Sequence, residues 1–432
     1  MTSATALPWR KGKRVAIIGA GPGGVSAALA LHRQGYDVRL YEKSPEPKPL
    51  GGGVLLSSPV LAILREYGVD LNNFGSYTYT EFRNHRGRVR TCVPSNPRVE
   101  KAFGLKGWHY GMLRSNAFAR MMECLPEGIL VADHTFQSYQ EGSDDIQVSF
   151  TNGNRVEADI LVGADGIRSG VSRQAFGEPD LFHVGLRVWL AWCDAAGLED
   201  IPPHTAAVTH SNKYQASFFP MLHDGKPGYE WWIVEPVKEN APEPENVKAY
   251  VQGILKDWAD PLPRFPDFTD FTDFNKQIFC WNIYNRPSLK KWSRGRVVCL
   301  GDAVHPVSPY AAYGMGMAIE DGYFLGKALG QRNFSDSDSV TQGFAAFEAQ
   351  RVDYVNHHME FARKLGNLFH YLPYPLAKLR DLVFDHTGFL EKMITRDYLR
   401  DQEAMSLSLY ELHQIDQAEL SQQSGGDESV PA

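Results

Sequence analysis

The sequence predicts an α/β fold: a Rossmann-like domain interrupted by an inserted, mostly β domain and followed by helices. Three observations predict it. The run RVAIIGAGPGG carries four apolar residues, Val15 to Ile18, straight into Gly19, Gly21 and Gly24 and then into the helix-forming VSAALALHRQG. Two further apolar runs, ADILVGADG and RGRVVCLGDAVHP, end in Gly-Ala-Asp-Gly and Gly-Asp far along the chain. Between them lie tryptophan-rich stretches with the two-residue alternation of strands.

The first element is a buried strand, a tight turn and a helix. Gly19 permits the turn, Gly21 lets the backbone approach a pyrophosphate, and Gly24 permits close helix packing, so a phosphate can sit on the unpaired N–H groups of the helix N-terminus. The next strand, DVRLYE, ends at Glu42, close to the spacing at which an acid accepts hydrogen bonds from an adenosine ribose. That acid would repel a 2′-phosphate, so the site suits FAD or NAD and disfavours NADP. After GGGVLL, the stretch YTYTEFRNHRGRVR alternates like a strand pair around an Arg-Gly turn. Further on, LRVWLAW, QASFFP and YEWWIV read as strands, and six of the nine tryptophans fall at 189, 192, 231, 232, 258 and 281. A helix is expected within APEPENVKAYVQGILKDWADPLPRFPDF. From Thr341 to Leu365, and again from Leu376 to Leu399, the pattern is helical, with Pro373 and Pro375 between. The segment Leu368 to Leu390 mixes aromatics, leucines and basic residues and is expected to pack on the dinucleotide domain, contact with a membrane surface being the alternative.

The motifs at both ends of the main body make the dinucleotide domain discontinuous. Its expected parts are 11–76, 107–182 and 285–330, with 77–106 and 183–284 forming the inserted domain. A helical region, 331–412, and a disordered tail, 413–432, complete the chain. A net charge of −7 and the lack of a dense basic run argue against nucleic-acid binding. The five cysteines, with no CxxC pair, read as reduced thiols. No apolar run approaches the ~20 residues needed to span a bilayer, and the N-terminus has no apolar core of signal-peptide length, so a cytoplasmic setting is expected. Metal binding has no support, since His357 and His358 are adjacent and diverge on a helix.

In order, GxGxxG, GADG and GDAxHP followed by glycines and Glu320-Asp321 resemble the single-component FAD-dependent aromatic hydroxylases, the group of para-hydroxybenzoate and salicylate hydroxylases. LRSNAFARMM, the Phe219-Pro220 pair, NRPSLKKWSRGRVV and FAAFEAQRVDYV extend the resemblance over almost the whole chain. It implies an FAD domain of the GR2 type held by Gly19, Gly21, Gly24, Glu42, Lys43, Gly53, Arg114, Asp165, Asp302, Gly314 and Met315. Asp165 would also lie near the pyridine-nucleotide path. The implied reaction is hydroxylation of a phenolic or heteroaromatic ring with O2 and NAD(P)H, NADPH being favoured, through a flavin C4a-hydroperoxide in a monomer or homodimer. The absence of a second GxGxxG fits a transiently bound nicotinamide. Departures are Ala312 for the usual glycine, Gly316 for the usual asparagine, Ser172 with the arginine displaced to Arg173, and Leu190 for the usual arginine after Trp189.

The substrate is expected between the aromatic strands and the loop from Pro306 to Tyr313. Alternation puts Arg187, Trp189 and Ala191 on one face, where Arg187 would anchor a phenolate or carboxylate. Trp189, Trp231, Phe219 and Pro309 are candidate substrate contacts, and Tyr310 and Tyr313 candidates to assist deprotonation. His305 reads as a structural hydrogen-bonder. A halogenase is disfavoured because GGGVLLSSPV lacks the required lysine. Alkene epoxidation and a non-oxygenating FAD-binding protein are the alternatives.

Overall fold

The computed structural model describes residues 7–47, 51–177, 180–272, 276–307, 313–400, 403–409 and 411. The first domain is built on a six-stranded sheet in the order Ser293–Arg294, Val297–Cys299, Ile160–Gly163, Arg14–Ile18, Asp37–Tyr41, Leu130–Val131, all parallel except the antiparallel first strand. Arg14–Ile18 is buried throughout and lies centrally, with the strands that carry the second motif and Glu42 on either side. The Gly19, Ala164 and Gly301 turns therefore emerge side by side at the carboxyl edge, where ligands bind in open α/β sheets. Gly19 has φ +98°, and a Cβ there would lie 2.4 Å from the Ala164 carbonyl oxygen, so the first turn and the second motif touch backbone to backbone.

Helix Pro22–Arg33 covers this sheet together with helix Gly314–Leu329. The two approach closely because Gly322 and Gly326 face Ala27 and Ala30; a Cβ on Gly322 would sit 2.4 Å from the Ala27 nitrogen. A 34-residue helix, Ser337–His370, follows, longer at both ends than the periodicity predicts. Asp336 caps it by accepting from the Asp338 N–H at 3.0 Å. Its Glu348 accepts from Trp292 N and Ser293 N, both at 2.7 Å, which ties the helix to the sheet's edge strand.

The second sheet is larger and mostly antiparallel. Its order is Ile278–Asn285, Phe182–Asp194, Lys226–Pro236, Gln215–His223, Thr205–His210, Ser76–Asn84, His109–Leu113, Gly53–Ser57, with Val89–Cys92 on Ser76–Asn84. Two of these strands correct the expected division. Gly53–Ser57 and His109–Leu113, expected in the first domain, pair antiparallel with each other and complete this sheet. An apolar run such as VLL says that a strand is buried but not which sheet buries it.

One face of the sheet packs Trp189, Ala191, Phe218, Trp231 and Ile233 against helix Val247–Leu255 and the segment around Phe265. The opposite face carries Leu190, Phe219, Glu230 and Trp232 toward the first domain. Helix Tyr374–His386 packs on Val89–Cys92 of the larger sheet. Asp385 and Asp381 hold Arg90 there at 2.6 and 3.0 Å, leaving Leu376, Leu379 and Leu382 exposed. The expected disordered tail, 413–432, lies outside the described residues. Among the described residues no helix is long and apolar enough to cross a membrane.

Candidate functional site

A cavity of about 530 Å³ opens where the carboxyl edge of the parallel sheet meets the second sheet. Gly21, Gly53, Arg114, Asp302, Gly314 and Met315 all line it. Gly21 ends at the N-terminus of helix Pro22–Arg33, and a Cβ there would meet nothing within 4 Å, so open space lies against the first helix turn. Glu42 stands beside the turn, its carboxylate fixed by the N–H groups of Ala20 (2.8 Å) and Ser44 (2.9 Å). The Asp302 side chain is exposed and lines the cavity. Surrounding protein raises its carboxyl above the ordinary range, while His305 and Arg114 pull it back. Gly314 and Met315 bring the N-terminus of a 16-residue helix to the same space.

The far wall is aromatic. Phe219, Trp232 and Trp281 line it with Leu190, which is paired to Trp232 across the strands. Among them sits Glu230, fully buried. Its Oε2 accepts from the Gly53 N–H at 2.7 Å, and Oε1 makes no hydrogen bond to protein. Burial pushes this carboxyl well above the usual range, against the pull of Arg114. The Arg114 guanidinium lies 5.9 Å from the centre of the Trp281 ring; burial lowers its pKa, and Glu230 and Asp302 oppose that.

Other expected residues are placed elsewhere. Asp165 turns to its own helix, accepting from Ser169 Oγ and from the N–H groups of Gly170 (2.7 Å) and Val171 (3.3 Å); it caps Gly170–Phe176 rather than facing the cavity. Gly19 and Gly24 shape the turn from behind; a Cβ on Gly24 would lie 1.9 Å from the Gly19 carbonyl oxygen. Lys43 is exposed. Tyr313 lines the cavity, but its hydroxyl is held between Ser57 (2.6 Å) and Glu320, and burial beside that acid raises the phenol well above its ordinary value. A phenol so placed is a poor base, which corrects the deprotonation role expected of it. Pro309 and Tyr310 lie outside the described residues.

Arg187, Trp189 and Trp231 require the largest correction. All three face the covered side of the sheet. Arg187 pairs with Glu235 at 2.8 Å, Trp189 Nε1 donates to the same carboxylate at 2.7 Å, and Trp231 Nε1 donates to Thr269 at 2.9 Å. Alternation grouped the residues correctly, but the covering helix buries the side on which substrate contacts were expected. The residues that do line the cavity, Leu190 and Trp232, are their immediate neighbours in sequence. The WW pair at 231 and 232 held the signal, since adjacent tryptophans must face opposite ways.

A buried network supports the floor. Arg351 pairs with Asp321 (2.8 Å) and Glu320 (2.9 Å), and Asp321 also contacts His305 and accepts from Gly301 N at 3.0 Å. The Glu320-Asp321 pair thus fixes the Gly-Asp turn to two helices. A second cavity, about 90 Å³, shares Leu55, Phe219 and Trp232 with the first and is roofed by Phe361, Leu365 and Phe369 of helix Ser337–His370.

Open space at a glycine-rich helix N-terminus, an acid fixed beside it and a carboxylate farther along one cavity fit FAD, a dinucleotide with a diphosphate and hydroxylated arms. The model of the family described as "FAD binding domain" matches residues 13–334. The chain is 27% identical over 351 residues to a 6-hydroxynicotinate 3-monooxygenase of Pseudomonas fluorescens, covering 79% of this chain and 88% of that one. It is 28% identical over 373 residues to a 3-hydroxybenzoate 6-hydroxylase of Klebsiella oxytoca, covering 83% and 89%. Among solved structures it resembles Klebsiella pneumoniae HpxO complexed with FAD and uric acid, with TM-score 0.75, 22% identity and coverage of 93% and 98%.

Proposed function

Because the chain belongs to the FAD-binding-domain family, whose model spans residues 13–334, we propose that it is an FAD-dependent monooxygenase hydroxylating an aromatic small molecule with O2 and NAD(P)H. One observation carries this reading. A single cavity has the three sequence motifs on one side and the aromatic face of the inserted sheet on the other. The two curated relatives, similar over about four-fifths of the chain, are named as enzymes that hydroxylate aromatic rings.

Bound FAD supplies the transfer of electrons from NAD(P)H to dioxygen and of one oxygen atom to the ring. The protein's part is to hold, orient and shield. The helix end at Gly21 would bind the diphosphate, Glu42 would accept from the adenosine ribose, and Asp302 would accept from the ribitol chain. The N-terminus of helix Gly314–Leu329, which lines the cavity, would offer positive potential to a bound flavin. Phe219, Trp232 and Trp281 exclude water from the reacting atoms.

Glu42 belongs to the FAD site and so does not select the nicotinamide. NADPH is the proposed donor, on the family resemblance, and flavin reduction rates measured by stopped flow with NADPH and NADH decide it. Acid release of the bound cofactor is expected to yield FAD. Oxygen-dependent NADPH consumption is expected to rise when an aromatic compound is added. Release of NAD without flavin, or consumption that no aromatic stimulates, contradicts the proposal.

A further inference from the structure

The second cavity carries its polar groups on the sheet face opposite Arg187. They are Thr80, His109, His210 and Gln215, and among the described residues that line it none is an acid, a lysine or an arginine. His109, His210 and Gln215 are each more than nine-tenths buried. Burial pushes the His109 imidazole down to about 4, and burial with nearby cations holds His210 well below its ordinary value, so both are uncharged at neutral pH. His109 Nε2 makes no hydrogen bond to protein, whereas His210 and Gln215 stand opposite each other across two strands and interact side chain to side chain. Buried polar atoms are normally paired, so His109 Nε2 points to a ligand that pairs it, with the His210–Gln215 pair beside it as further polar wall.

The arginines nearest His210 bind acids outside the cavity. Arg380 is held by Asp381 at 2.7 Å and by the carbonyl oxygens of Leu368 and Ser211, and Arg90 by Asp385 at 2.6 Å with its Nη1 left over, and neither arginine lines the cavity. A carboxylate placed in this cavity would therefore lose its hydration without gaining a free cation. A neutral ring would lose little, and could pair its hydroxyl, lactam or ring N–H groups with the two imidazoles and the amide.

We propose that the ring to be oxidised lies where this cavity meets the larger one across Leu55, Phe219 and Trp232, and that His109, His210 and Gln215 select an uncharged hydroxyaromatic or heteroaromatic lactam over a carboxylated one. The inference rests on the hydroxylase reading and goes beyond it by naming the substrate's charge class. It also separates this chain from the relatives named for hydroxynicotinate and hydroxybenzoate, whose substrates are carboxylates.

The test is binding to the FAD-loaded protein, read as perturbation of the flavin absorbance, with matched probes: 2-hydroxypyridine against 6-hydroxynicotinate, phenol against 4-hydroxybenzoate, and 4-hydroxyquinoline against its 2-carboxylate. The uncharged member of at least one pair is expected to bind about tenfold or more tighter. His109→Gln, which keeps a donor and an acceptor, is expected to retain that preference. His109→Leu and His210→Leu are expected to weaken the uncharged probe with FAD content unchanged. The comparison in the unaltered protein needs no variant, so a variant that fails to fold leaves the test intact. Equal or tighter binding of the carboxylated members, with aromatic-stimulated oxygen uptake present, overturns the inference and leaves the hydroxylase reading standing. Absence of both ring binding and stimulated oxygen uptake overturns the two together.

Discussion

Glu230 ties two strands of the larger sheet together beside the cavity, its carboxyl accepting from Gly53 N on a strand expected in the other domain. Its folded-state pKa is raised above the ordinary carboxylate value, so the folded state binds this proton more tightly than the unfolded state does. The stabilisation is present in full below the unfolded carboxylate pKa and is lost as pH rises through the folded value. Glu230→Gln, which mimics the protonated form, should remove that decline, and melting temperature measured against pH for the two proteins checks it. A decline of equal slope in the variant assigns the effect to another group. Arg187 gives a second residue-scale prediction, opposite to the one alternation suggested. Removing it leaves Glu235 buried without its charge partner, so Arg187→Ala should destabilise the protein by about 3–5 kcal/mol in chemical denaturation. The fraction that remains folded should bind the ring probes with unchanged affinity, since Arg187 lies on the covered face.

At the scale of elements, the close contact between helices Pro22–Arg33 and Gly314–Leu329 fixes both helix N-termini over one cavity. Gly322→Ala puts a methyl against the Ala27 backbone, which cannot yield as a flexible side chain would. A loss of about 1–3 kcal/mol is expected, with FAD released more readily at a given temperature; an unchanged melting temperature and FAD off-rate argue against the contact's role. The strand, turn and helix at Arg14–Arg33 were legible because each step has a local signature: an apolar run, glycines at fixed spacing, then helix formers. The inserted strands were legible as strands and not as faces. Period-two alternation groups Arg187 with Trp189 and leaves undetermined which group the covering helix will bury, and that helix lies some 60 residues away in sequence. Gly53–Ser57 and His109–Leu113 were misassigned for a related reason, since pairing between distant strands leaves no mark on either one.

At the scale of the molecule, the chain crosses repeatedly between two sheets, and the cavity exists only because both are complete. The order of the motifs revealed the discontinuous first domain, and the tryptophan density located the second. Neither could reveal the second cavity, whose lining comes from strands spread between Leu55 and Trp232 and from a helix beginning at Ser337. The neutral character of that lining is a tertiary property as well, because His109 and His210 lose their charge only through burial. The central claim, that this assembly delivers one atom of dioxygen to an aromatic ring, is tested most directly by mass spectrometry of products formed under ¹⁸O2 by the FAD-loaded protein with NADPH and an uncharged hydroxyaromatic. The account predicts a product heavier by one ¹⁸O atom on the ring. NADPH oxidation with every ring recovered unchanged across uncharged and carboxylated probes would contradict it.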